Sequence, residues 1–240
     1  MKKKNLFLIT ARAGSKGVKD KNICEIGGLP LLAFKAISAK RSKYCDRLVI
    51  STDSEEIAGI AAKYGVEVPF IRPDYLAEDT SSSIDVILHA IDFIEKNDKH
   101  SYDTITLLQP SSPFATYDDL NNAIDLYHQK KATSVIGMKE SITSTFIATL
   151  DSDQKMSNHY KKMNNTNGVR RQDFIQEYTM NGTLYVIDRN YIKKEKKIYS
   201  ENSYGYIMKS EYSVDIDDYV DLHYATYLYE NVLNKAYWGD

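Results

Sequence analysis

The chain has 240 residues, a formal net charge of −2, and 42% hydrophobic and 27% charged residues. That length buries a sizeable core, and the balanced charge excludes a general nucleic-acid binder, whose affinity rests on many cations facing phosphates. Two cysteines, Cys24 and Cys45, give neither a disulfide framework nor a CxxC metal motif.

The apolar run behind the first lysines is too short for a secretion signal, and Arg12 and Lys16 follow it at once. A reducing, cytoplasmic setting is therefore expected. Residues 6–10 read as a buried strand, and residues 31–40 as a helix with Pro30 at its first turn. Residues 47–51 are a second strand; Ser54 then caps a helix through Tyr64 that Gly65 stops. A third strand is expected over 67–71. Ser82 or Ser83 caps an amphipathic helix with Ile84, Ile87, Leu88, Ile91 and Ile94 at helical spacing. A strand over 104–108, a helix over 117–129 and a strand over 133–138 follow.

After Met138 the rhythm breaks. Residues 140–180 are polar, with weak strand signals, and read as an interaction arm inserted in a single domain spanning 1–240. Regularity returns with strands over 183–188 and 204–208 and a final helix from about Asp218 to Lys235. Alternation of this kind predicts an α/β fold with a doubly wound, mostly parallel sheet. Ligands collect at the carboxyl ends of such strands. The unusual loops all fall there: 11–22, TDSEE, RPDYLAEDTSSS and QPSSP.

The opening stretch ITARAGSKGVKDKN, residues 9–22, carries Arg12, Lys16, Lys19 and Lys21 just beyond the first strand. It lacks the earlier glycine and the Ser/Thr of a P-loop, and Gly14 and Gly17 have the wrong spacing for a dinucleotide fingerprint. What remains is a longer loop that wraps a polyphosphate. Backbone N–H groups at Gly14, Ser15 and Gly17 would cradle it, with Arg12, Lys16 and Lys21 as counter-charges. The competing reading is a surface turn with solvated lysines.

A second signal is SVDIDDYVD, residues 213–221. Period-two geometry puts Asp215 and Asp217 on one face and Val214 and Ile216 on the other. Paired carboxylates beside a polyphosphate suit Mg²⁺, with Mn²⁺ as a substitute. Asp218 is better used as a helix cap, with Asp221 in the first turn. Polyphosphate, metal and sheet together mean nucleotidyl transfer or hydrolysis.

The opening loop resembles the signature of acylneuraminate cytidylyltransferases, the CMP-sialic acid synthetases. The likeness continues through VISTDSEEIA (49–58), VEVPFIRPDYLAEDTSSSIDVILHA (66–90), LLQPSSPF (107–114), RRQDF with YTMNGTLYVID (170–188) and SVDIDDYVDL (213–222). It implies a Rossmann-like, nucleotide-diphospho-sugar transferase-like fold, a homodimer built through the 140–180 insertion, and transfer of CMP from CTP to a nonulosonic acid with release of pyrophosphate. Within that family Arg12, Ser15, Lys16, Lys21 and Asn22 would hold the triphosphate, and Arg72, Ser81 and Ser83 the cytosine and ribose. Gln109 would face the sugar, Asn181 and Tyr185 would line its pocket, and Asp215 and Asp217 would hold the metal. Arg171 would reach the site from the arm. TSSSIDVILHA and LLQPSSP look closer to the sialic and legionaminic branches than to the pseudaminic one. The segment ESITSTF (140–146) lacks the proline and cation usual in relatives, leaving Lys139 as the nearest basic residue. The alternatives are a non-catalytic CTP or CMP-sugar sensor of the same fold, or an enzyme for pseudaminic acid or Kdo.

Overall fold

Leu6, Phe7, Leu8 and Ile9 are all excluded from solvent, because β1 (Asn5–Thr10) has a strand on each side and helices on each face. The computed structural model describes residues 4–78, 80–98, 101–142, 144, 147–156 and 174–239. In chain order come β2 (Glu25–Ile26), β3 (Leu29–Pro30), α1 (Leu31–Arg41), β4 (Arg47–Ser51), α2 (Glu55–Lys63) and α3 (Ser83–Asp98). Then follow β5 (Thr104–Leu108), α4 (Tyr117–Lys130), β6 (Ser134–Ser141), β7 (Glu177–Asp188), α5 (Arg189–Glu195), β8 (Ser203–Ile207) and α6 (Tyr219–Asn231). The main sheet has the order β4-β1-β5-β7-β6-β8. β1 pairs in parallel with β4 and β5, and β6 with β8, while β7 runs against both its neighbours. The fold is therefore α/β with a mostly parallel sheet.

Each face has its own core. Phe7, Ile9, Ile50, Leu108 and Val186 pack with residues of α1, α2 and α4. Leu6, Leu8, Leu107 and Ile187 pack with Ile87, Ile91 and Ile94 of α3 and Ile192 of α5. Strands buried on both faces read as continuous apolar runs, which is why residues 6–9 show no alternation.

A third cluster matters most for the site. Val18 of the opening loop, Phe34 of α1, Phe114, Val214, Ile216, Tyr229 of α6 and Trp238 pack together. Phe34 meets Phe114, Tyr229 and Trp238 edge-on, at centroid distances of 5.5, 5.3 and 5.4 Å. Edge-to-face pairs of this kind add to the area term. The cluster fastens both the cationic loop and the acidic segment to one helix.

Local signals hold at most helix ends. Ser54 accepts from Ile57 N, and Ser82, of the two serines considered, accepts from Ile84 N. Asp218 caps α6 and forms a capping box with Asp221. The expected strand over 67–71 does not form. Glu67 makes one parallel bridge to Val49, and Pro69 has no N–H to continue the ladder. The strand expected over 183–188 is the end of a longer one that starts at Glu177 and pairs with the distal half of β6. That ribbon forms part of the stretch expected to be irregular. Between Ile136↔Tyr185 and Met138↔Met180 the register shifts, so residues 181–184 bulge opposite Gly137.

Candidate active site

A cleft of about 420 Å³ opens at the carboxyl ends of β1 and β5. Eleven residues singled out in the sequence line it: Arg12, Ser15, Lys16, Gly17, Lys21, Asn22, Arg72, Ser81, Ser83, Gln109 and Asp217. They come from segments far apart in the chain, which the parallel topology brings to one edge of the sheet.

The cationic loop is held from both ends. Asn22, itself buried, donates through Nδ2 to the Arg12 carbonyl at 2.9 Å, and Ala13 N donates to Asp53 Oδ1 at 3.0 Å. Gly14 turns the chain at φ +70° with open space where a Cβ would stand, and it does not line the cleft. Asp20 adopts a left-handed φ of 51°, which aims the next residue inward. Lys21 Nζ then donates to the Ile216 carbonyl at 2.6 Å and lies 3.4 Å from Asp217 Oδ1. Loop and acidic segment also touch through backbone, since a Cβ on Gly17 would lie 1.9 Å from the Asp217 carbonyl oxygen.

Residues 213–217 form no ladder, yet the alternation read from sequence is present. Val214 and Ile216 are buried, while Asp215 and Asp217 are exposed. A backbone bond from Ile216 N to Ser111 O (2.8 Å) anchors the segment to the QPSSP loop, and Ser112 Oγ donates to Asp215 Oδ1 at 2.8 Å. Gly182, at φ +71°, sits below: a Cβ there would lie 2.7 Å from Ser112 Oγ, 3.6 Å from Gln109 Oε1 and 3.7 Å from Asp215 Oδ2.

Several expected site residues have structural partners. Arg72 is buried, and its Nη2 donates to the carbonyls of Ala11 (2.9 Å) and Ser51 (3.0 Å), with Nη1 3.5 Å from that of Leu76. Its Nε is buried without a partner among the described residues. Burial lowers the Arg72 pKa, opposed by nearby Asp53 and reinforced by Arg12. Ser81 Oγ donates to the Tyr75 carbonyl at 2.9 Å.

Two residues expected in the sugar pocket lie apart from the cleft lining. Asn181 is turned inward, donating to Ser213 Oγ at 2.9 Å and accepting from Thr183 N at 3.1 Å, because the bulge rotates its side chain into the protein. Tyr185 is half-buried on the α3 side of the sheet, and burial pushes its phenol up to about 12. Arg171 lies outside the described residues.

Sequence reasoning missed Asp53, Ser112 and Lys35. The first two lie in loops already singled out. Lys35 was visible as one cation in an otherwise apolar run, LLAFKAI. It is fully buried on α1. Burial draws its pKa down to about 7, against Asp119 and Asp215, which favour the charged form. A lysine depressed in the fold costs stability most below that value, and the cost fades as pH rises toward the ordinary 10.5. Compared with Lys35→Met, the native protein should therefore gain stability, read as a urea midpoint, as pH rises through that window. A pH-independent difference would contradict the burial argument.

A family model described as Cytidylyltransferase matches residues 6–237. The chain belongs to the cytidylyltransferase family. It is 34% identical to Post-translational flagellin modification protein B of Campylobacter coli, over 93% of this chain and 94% of that one. It is 31% identical to the N-acylneuraminate cytidylyltransferase of Escherichia coli, over 98% of this chain but 57% of that longer protein. It is also 31% identical to the CMP-N,N'-diacetyllegionaminic acid synthase of Legionella pneumophila, over 90% of this chain and 92% of that one. Among solved structures, CMP:2-keto-3-deoxy-manno-octonic acid synthetase complexed with CTP superposes with a TM-score of 0.70 at 13% identity, covering 96% of this chain and 100% of that one. That likeness speaks for the fold alone. Among the described residues no helix is long and apolar enough to cross a membrane.

For a cytidylyltransferase, the contact between Gly17 and Asp217 has a direct consequence. Gly17→Ala must part the cationic loop from the acidic segment, since the obstructing atom is a backbone carbonyl that cannot rotate away. A shift of about 1 Å at a reacting centre costs on the order of 10²-fold in rate. Pyrophosphate release by Gly17→Ala should fall by that order. Wild-type kinetics would mean that the two segments need not touch.

Proposed function

We propose that the protein transfers CMP from CTP to the anomeric hydroxyl of a nonulosonic acid of the sialic or legionaminic type, releasing pyrophosphate. The observation that carries this reading is a single cleft in which Arg12, Lys16 and Lys21 face Asp217, with Asp215 alongside, in a chain similar to enzymes named for these sugars. In the reading, the loop cations and the N–H groups around Ser15 and Gly17 hold the triphosphate and stabilise charge developing on the leaving pyrophosphate. Gln109 orients the sugar opposite, so that its hydroxyl meets the α-phosphorus in line. The N-terminus of α3 at Ser83 and the loop at Ser81 border the nucleoside end, over the Arg72 clamp.

The donor set fits a divalent metal, Mg²⁺ or Mn²⁺. Asp215 and Asp217 offer hard, exposed carboxylates two residues apart on one side of an extended segment, and among the described residues Asp215 engages Ser112 through Oδ1 alone. When bound there, the ion would neutralise phosphate charge. Ser112 keeps one Asp215 oxygen oriented, and Lys21 keeps Asp217 close to the loop.

The homodimer belongs to this proposal too. Tyr178 and Met180 on the β6–β7 ribbon, together with Ile142, Ile175 and Ile207, are exposed apolar side chains, and the groove between Met138, Met180 and Tyr204 is largely apolar. A second copy is the occupant expected there, with Arg171 reaching the partner's cleft. Met180→Glu should convert a dimer into a monomer by sedimentation. An unchanged dimer would put the interface elsewhere.

The enzymatic reading is tested by nucleotide choice. Turnover with CTP should exceed that with UTP by at least about 10²-fold, because a site built to pair a polar edge penalises its loss. Equal use of both would reject it, and binding of CTP with no product from any sugar would favour the sensor.

A further inference from the structure

The apolar core of α1 contains a basic side chain that packing does not require. Lys35 is flanked by Leu31, Leu32, Phe34 and Ala36, all buried, and a methionine of similar length would occupy the same space without a desolvated ammonium. Its Nζ donates to the carbonyl of Thr183 at 2.9 Å. That carbonyl lies in the β7 bulge, where the register with β6 is broken.

The bulge packs against the site from behind, without lining the cleft itself. Gly182, one residue before Thr183, lies directly beneath Ser112, Gln109 and Asp215, and its left-handed φ of +71° is what brings the backbone so close. On the other side Asn181 ties the bulge to Ser213, at the start of the acidic segment. A displacement of Thr183 would therefore reach both the sugar-facing glutamine and the carboxylate above it. Burial works against the charged form of Lys35, and Asp119 and Asp215 only partly offset it.

We propose that Lys35 is a positioning residue for the transfer reaction: its buried amino group, donating to the Thr183 carbonyl, anchors the β7 bulge and, through Gly182, fixes Gln109, Ser112 and Asp215 in their working arrangement. The inference rests on the cleft being the site of CMP transfer. Lys35 touches neither substrate in this account; it acts through the bulge.

The test compares the full-length wild type with Lys35→Met in two measurements. In steady-state pyrophosphate release, kcat should fall on the order of 10²-fold, as for a misplaced reacting group, while KM for CTP stays within about twofold, because binding shared by ground and transition states is untouched. By hydrogen exchange, peptides covering 177–188 and 209–217 should exchange faster in the variant, with β1 and β5 unchanged. Lys35→Gln keeps a donor on a shorter stem and should fall between the two proteins; if Lys35→Met does not fold, it carries the same expectation. A kcat within about threefold of wild type, or a loss that merely tracks the folded fraction, overturns the proposal. So does exchange that rises evenly over the sheet. If the wild type itself releases no pyrophosphate, the transfer reading fails, and the exchange data still decide whether Lys35 braces the bulge.

Discussion

Asp217→Asn is expected to lower kcat by about 10²–10³-fold, the range seen when one electrostatic stabiliser is removed from an active site. The substitution keeps side-chain volume and removes one negative charge. Its effect on stability should be small: the Asp217 side chain is 81% exposed, and its contact with Lys21 is 3.4 Å long, so the ion pair is screened by water. Asp215→Asn should have a smaller effect, because the amide can still accept from Ser112. Raising the divalent metal concentration should recover part of the activity in both. Near-normal turnover in both variants would reduce the segment to packing and capping.

The second large effect is expected at Arg72. Its guanidinium joins three carbonyls: Ala11 at the root of the cationic loop, Ser51 at the end of β4, and Leu76 in the cleft wall. Arg72→Met leaves these acceptors short of a donor in a buried setting, at a cost of about 3 kcal/mol. Both the urea midpoint and CTP affinity should therefore drop. Ser83→Ala, at the exposed start of α3, should weaken CTP binding alone. If Arg72→Met melts like the wild type and still loses CTP, its guanidinium works only in recognition of the nucleotide. If it melts early and binds CTP normally, it works only as a clamp.

These two residues show what the sequence could convey. Asp217 was legible because alternation of Val214, Asp215, Ile216 and Asp217 is a local property, and it persists even though the segment forms no ladder. The cationic loop was legible for the same reason: its glycines and cations lie within a few residues of each other. Arg72 lines the cleft, but its three backbone partners come from distant segments that no local pattern announces. The bulge in β7 was hidden altogether. It depends on the register between two strands, and TMNGTL reads equally well as a regular strand or a turn. Pro69, by contrast, was a visible warning against a third full strand over 67–71, outweighed by the apolar residues around it. Lys35 was passed over because helical periodicity assigns a lone lysine to the solvent face. Here the helix is buried on nearly every side, so the lysine had nowhere exposed to go.

CMP transfer itself is read from its products. The purified protein is incubated with CTP, Mg²⁺ and, in turn, N-acetylneuraminic, legionaminic and pseudaminic acids and Kdo, and pyrophosphate release is followed with the CMP-sugar identified by mass. Metal-dependent release is expected with a sialic- or legionaminic-type acid, together with a 1:1 CMP-sugar product and little turnover with Kdo. Absence of product from every acid, in a protein that is folded and binds CTP, would contradict CMP transfer.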